Sequence, residues 1–83
     1  MTTITITDLM CDYRPVSGIG WGIQFEWLRR ERASDVMRLL HLIKRDGILS
    51  PITLDHDGHV VDGHRRVYVA FLLGIRDIPA EFA

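Results

Sequence analysis

Several of the features that set a chain apart from ordinary globular proteins are missing here. There is one cysteine, Cys11, in 83 residues, so no internal disulfide can form. A reducing, cytoplasmic setting is the expectation, with Cys11 as a small buried residue. Charge of one sign is not in excess: ten basic and eleven acidic residues leave a net charge of −1, which excludes a protein that holds nucleic acid by bulk electrostatics alone. No apolar stretch approaches the ~20 residues that span a bilayer. The opening Thr/Ile alternation has neither the basic start nor the apolar run of a secretion leader, so none is expected. Repeats and low-complexity segments are also lacking. What is present is a hydrophobic fraction of 47%, sufficient for one core. The expected organisation is a single domain over residues 1–83, close to the lower size limit for folding without disulfides or metal.

The pattern along the chain predicts an α+β fold: a small mixed sheet with two main helices. Residues 2–7 alternate Thr and Ile with a period of two, as a strand with one buried face does. Residues 8–22 contain Pro15, Gly18, Gly20 and Gly22, which predicts a long loop with Tyr13, Arg14, Ser17 and Trp21 as possible ligand neighbours; the plainer role for Trp21 is to anchor that loop to the core. Residues 23–32 read two ways, with Ile23, Phe25 and Trp27 alternating like a strand and 26–32 content as a helix; an extended segment running into a helix is favoured. Ser34 as N-cap, Val36, Leu39, Leu40 and Ile43 at helical spacing, and Gly47 after the last turn predict the first main helix. Asp57-Gly58 between two apolar runs predicts a hairpin joining residues 52–55 to 59–61. Residues 67–73 are apolar or aromatic throughout, so a second helix, ended by Gly74, must be covered on more than one face. Residues 77–82 predict a last strand, with Pro79 implying an edge or a strand start.

The most informative segment is Asp62-Gly63-His64-Arg65-Arg66, between the strand residues Val60 and Val61 and the apolar helix. The first turn of a helix has backbone N–H groups without intrahelical partners and carries the positive end of the macrodipole. Gly63 permits a sharp bend and close approach, and Arg65 and Arg66 present planar forks of donors suited to phosphate oxygens. The alternative is structural: Asp62 caps the helix and the arginines form a solvated first turn. The run Arg29, Arg30, Arg32, Arg38, Lys44 and Arg45 has the same two readings, a basic face or the solvated side of a helix. The cluster Asp55, His56, Asp57, His59, Asp62 and His64 lacks the ligand spacing of a recognised metal site, and no metal site is assigned.

Taken in order, Gly47-Ile48-Leu49-Ser50-Pro51-Ile52, the Asp57-Gly58 hairpin, Asp62-Gly63-His64-Arg65-Arg66, Leu73-Gly74-Ile75 and Ile78-Pro79 resemble the ParB/sulfiredoxin superfamily, specifically the ParB amino-terminal or ParB-like nuclease domain, over residues 34–82. In ParB proteins the corresponding motif reads Gly-Glu-Arg-Arg and holds the triphosphate of CTP; in sulfiredoxin it reads Gly-Cys-His-Arg and serves ATP and a catalytic thiol. The resemblance implies a ParB/sulfiredoxin-like fold and phosphate contacts at Gly63, Arg65 and Arg66, with His64 in the place of the ParB Glu and the sulfiredoxin Cys. Arg14 falls where relatives put a second phosphate-contacting arginine. With no thiol at position 64, sulfiredoxin-type reduction is not expected. No helix-turn-helix segment follows residue 82, so the unit is expected to stand alone and not to read a DNA site in the ParB manner.

Three functions follow as expectations. The first is a nucleotide- or phosphate-binding module taking CTP or ATP, with or without Mg²⁺, its phosphates held by Gly63, His64, Arg65 and Arg66 with Arg14 as a further candidate, regulatory or accessory in a process involving DNA or a DNA-associated protein. The second is a small Mg²⁺-dependent phosphoryl-transfer enzyme or nuclease, for which Asp62 is the candidate catalytic base and Glu26, Glu31 and Asp35 are the further carboxylates that the fold has to bring near it. The third is an interaction module that keeps only the fold and uses Trp21, Phe25, Trp27 and the neighbouring arginines. An edge strand and a small core favour a homodimer, and no membrane partner is expected.

Overall fold

A computed structural model describes residues 2–83 as an α+β domain, with four helices and a five-stranded mixed sheet. In chain order the elements are β1 (Thr2–Thr5), α1 (Ile6–Asp12), β2 (Arg14–Pro15), α2 (Trp21–Glu31), α3 (Ala33–Asp46), β3 (Ile52–Leu54), β4 (His59–Asp62), α4 (His64–Leu73) and β5 (Asp77–Phe82). The sheet order is β1-β5-β3-β4-β2. β1 runs antiparallel to β5 and β3 antiparallel to β4, while the β3–β5 and β2–β4 pairs are parallel.

Alternation along the strands decides how the layers stack. Ile52, Leu54, Val60, Ile78 and Ala80 are buried, and the residues between them are partly or fully exposed, so the helices cover one face of the sheet. α4 lies at the centre of the helical layer, against β3 and between α1 and α3. Its residues Val67, Tyr68, Val69 and Ala70 are all buried, as an all-apolar stretch requires, whereas Phe71 and Leu72 in its last turn are about half exposed. No helix among the described residues is long and apolar enough to cross a membrane.

The amino-terminal third departs from expectation. The first strand stops at Thr5, whose hydroxyl accepts the Asp8 N–H at 3.1 Å, and α1 starts at Ile6, inside the expected strand, and runs into the segment expected to be loop. Residues 21–31 form one continuous helix: Trp21, Phe25 and Leu28 are the buried set, at helical spacing, and Ile23 and Trp27 face outward. The strand-like alternation of Ile23, Phe25 and Trp27 therefore mixes a buried ring with two exposed groups. α3 begins at Ala33, with Arg32 alone between it and the end of α2, and its N-cap is Arg32 in place of Ser34. Cys11 is exposed on α1 and not buried. Trp21 does anchor the segment before it, donating its Nε1–H to the Tyr13 carbonyl at 2.9 Å.

β5 is an internal strand, not an edge. Its ladder to β3 begins with Ile52 opposite Ala80, one residue beyond Pro79, so the missing N–H of Pro79 falls outside that ladder. The open edges belong to β1 and β2. The β3–β4 hairpin forms at Asp57-Gly58, with Asp55 Oδ1 accepting both the Asp57 N–H (3.0 Å) and the His59 N–H (2.8 Å). The His59 and Asp57 amides hold the Asp55 carboxyl below its usual range.

A carboxylate held below its ordinary pKa contributes stability above the unfolded-state value and loses it as pH falls through the folded-state value. Asp55→Ala is accordingly expected to lower the urea midpoint at neutral pH, with the gap to the wild type closing as the solution is taken down through the carboxylate range. A gap that stays constant with pH would mean that the carboxylate is not what holds the turn.

Candidate functional site

The turn from β4 into α4 arises from one backbone requirement. Gly63 has φ of 102° and is the N-cap of α4, with no side chain available to cap the helix. A Cβ at this position would lie 2.7 Å from Ile52 Cγ2 and 3.1 Å from Arg66 Nη1, so the chain can pass this close to β3 only as glycine. Asp62 is therefore not the cap, and the first-turn amides of α4 have no capping side chain. Just before the turn, the β3–β4 register slips between Thr53, opposite Asp62, and Leu54, opposite Val60. The slip leaves Val61 without a partner and is a bulge of the kind that re-aims a strand end.

Asp62, Gly63, His64, Arg65 and Arg66 all border one open cleft of about 420 Å³. Its other wall comes from α2 and α3, which bring Gln24, Trp27, Arg32, Asp35 and Arg38 to the same space. Four guanidiniums thus surround a cleft that holds two carboxylates, and the local field is positive although the whole chain is nearly neutral. Arg65 Nη1 lies 3.5 Å from Asp35 Oδ2, and Arg38 Nη1 lies 3.7 Å from Asp35 Oδ1, so one carboxylate holds two guanidiniums at the rim. Arg66 is the more deeply set of the motif pair. It donates to the Pro51 carbonyl at 3.0 Å, tying α4 to the entry of β3 and leaving its remaining N–H groups uncommitted. The Arg32 guanidinium sits 5.3 Å from the Trp27 ring centre, in cation–π range.

His64 occupies the first position of α4, half-buried, with its ring 6.2 Å from that of Trp21. Its Nε2 accepts the Val16 N–H at 3.3 Å, which requires the proton of the neutral ring to be on Nδ1. Burial pushes the His64 pKa down, and the Val60 backbone and the Asp62 carboxylate oppose that shift only in part.

A second, more apolar cleft of about 590 Å³ adjoins the first; Gln24, Trp27 and His64 line both. Val16, Ser17, Ile19 and Ile23 form its other side, so Ser17 belongs to this cleft and not to the arginine cleft. Arg14 lines neither cleft; it lies on β2 opposite His59, and its N–H is bound to the Gly58 carbonyl. Asp35 does reach the arginine cleft, whereas Glu26 is paired with Arg29 and Arg30 and borders only the second cleft, and Glu31 borders neither. The expected cluster of acidic and histidine residues is dispersed. His59 Nδ1 lies 3.3 Å from Asp55 Oδ2 and His56 stacks on Phe82 at 4.8 Å, while His64 turns to Val16. Among the described residues no group of three or more His, Cys, Asp or Glu side chains is placed to hold a metal ion. Sequence reading missed the contribution of Gln24 to this site and offered Trp27 only as an interaction residue, because the helix that carries them has the alternation of a strand.

No family model matches the sequence, and no solved structure matches it. A segment of 37 residues, 45% of this chain, is similar at 43% identity to the uncharacterized protein ORF326b of Acidianus two-tailed virus. The matched segment spans 11% of that viral protein.

Replacing Gly63 tests the turn directly. Gly63→Ala combines a left-handed backbone with a forced overlap on Ile52, and a loss of about 2–4 kcal/mol is expected in chemical denaturation. An unchanged midpoint would show that the turn does not need glycine.

Proposed function

We propose that this chain is a nucleotide- or phosphate-binding module of ParB/sulfiredoxin-like type, which holds the phosphates of CTP or ATP, with or without Mg²⁺, at the start of α4 and acts as a regulatory or accessory unit in a DNA-related process. One observation carries the reading: Arg32, Arg38, Arg65 and Arg66 surround a single cleft into which an uncapped helix start opens. Each charge-assisted hydrogen bond to phosphate contributes about 1.5–3 kcal/mol before association costs. Micromolar affinity corresponds to about 8 kcal/mol, so several such bonds must act together. The cleft supplies that number, and the exposed Trp27 face beside it offers a surface for a planar base.

Binding is favoured over phosphoryl transfer or nuclease chemistry by the placement of the acids. Asp35 is held between Arg38 and Arg65, and Glu26 holds Arg29 and Arg30. Asp62 is then the carboxylate at the cleft without an ion-pair partner among the described residues, where a metal-assisted reaction ordinarily uses one or two carboxylates and a separate base.

Titration of the wild-type protein with CTP and with ATP, followed by calorimetry and by amide chemical shifts, is expected to give saturable binding that weakens with added salt. Arg65→Ala and Arg66→Ala are each expected to abolish it. Arg65→Ala is the cleaner variant, since Arg66 also ties α4 to Pro51. A wild-type protein that shows neither heat nor shifts with either nucleotide rejects the proposal.

A further inference from the structure

Residues 16–20, between β2 and α2, form a strap along the second cleft, to which Val16, Ser17 and Ile19 contribute one wall. Little holds this strap in place. The Gly18 N–H closes a local turn onto the Pro15 carbonyl at 2.8 Å, Val16 is 55% exposed, and among the described residues the strap's one long-range hydrogen bond is the Val16 N–H to His64 Nε2, across 48 residues of sequence. The acceptor in that bond can itself take up a proton. Nε2 accepts only while its lone pair is free; once protonated it is a second donor facing the Val16 N–H, and the bond cannot exist.

We propose that His64 is a proton-operated latch: the neutral imidazole holds the strap of residues 16–20 against α4, and the imidazolium releases it, removing one wall of the apolar cleft. His64 is the one titratable residue that borders both clefts, so a single protonation acts on both.

The groups around the ring set the direction. From β4, the Val60 backbone and then the Asp62 carboxylate favour the imidazolium. On α4 itself, Arg65 and Arg66 border the same cleft and oppose it, as does the positive end of the helix. From α2, Glu26 and Arg30 border the same apolar cleft as the ring, as a mutual ion pair, with Arg32 just beyond the helix end bordering the arginine cleft. From α3, Asp35 and Arg38 border the arginine cleft, again as a pair. With burial added, the neutral ring prevails near neutral pH, and release belongs to the acid side of the ordinary histidine range.

The test follows two signals in the ligand-free wild-type protein across pH 7.5 to about 5: the His64 ring by carbon-resolved NMR, and the Val16 amide by its chemical shift and by its exchange protection, corrected for the intrinsic pH dependence of exchange. Both are expected to change with one midpoint, and Val16 protection is expected to fall about tenfold on the acid side, the equivalent of one lost hydrogen bond. His64→Gln places a non-titrating carbonyl oxygen close to the Nε2 position and is expected to flatten the Val16 profile. A Val16 amide that is indifferent to the His64 titration overturns the latch, as does a pH dependence that persists unchanged in His64→Gln. No nucleotide is involved, so failure here leaves the nucleotide-binding proposal standing, and failure of that proposal leaves the latch intact.

Discussion

A missing side chain organises this molecule. At position 63 the backbone passes so close to Ile52 that a Cβ would sit 2.7 Å from its methyl group, and on that approach depend the direction of α4 and the convergence of its first residues on one cleft. Arg66 then fastens the same junction from the other side through the Pro51 carbonyl. The steric constraint and the hydrogen bond are separate in kind, but both bind the start of α4 to the start of β3. The groups with chemical capacity are therefore carried by one of the most constrained parts of the backbone, as preorganised recognition requires.

Charge in the cleft is balanced in a way that composition could not reveal. A chain with a net charge of −1 collects four guanidiniums around a cleft with only two carboxylates, because α3 packs on α4 and brings Arg38 and Asp35 beside Arg65. Asp35 holds the neighbouring cations at the rim without neutralising them, at separations of 3.5 and 3.7 Å. These are exposed, loosely coupled contacts of small worth, and an entering oxyanion could displace them at little cost.

How much of this was legible in the sequence varies along the chain. The hairpin at Asp57-Gly58, the helix stops at Gly47 and Gly74, and the glycine bend before His64 are local matters of backbone conformation, and each is where the residue types indicate. α1 was hidden because its first residue, Ile6, continues the Thr/Ile alternation; the signal that could have exposed it is Thr5 followed three residues later by Asp8, a helix-start pairing. α2 was hidden for a more instructive reason. Ile23 and Trp27 remain exposed and line the apolar cleft, so two residues not used for packing imposed a false period of two on a helix whose core positions are Trp21, Phe25 and Leu28. The interior position of β5 could not be read locally either, since Pro79 shows only that one amide is unpaired, not which neighbour begins a residue late.

The strand order has a consequence for how the molecule forms. β1, near the start of the chain, has β5 as its sole partner in the sheet, and β5 also completes β3. During synthesis, then, the Thr/Ile strand and the residues after Pro51 both wait with open hydrogen-bonding edges until residues 77–82 have left the ribosome. Closing a loop of more than seventy residues late in folding is slow compared with forming the helices and the local β3–β4 hairpin, so the β1 side of the sheet is the last part of the fold to be completed.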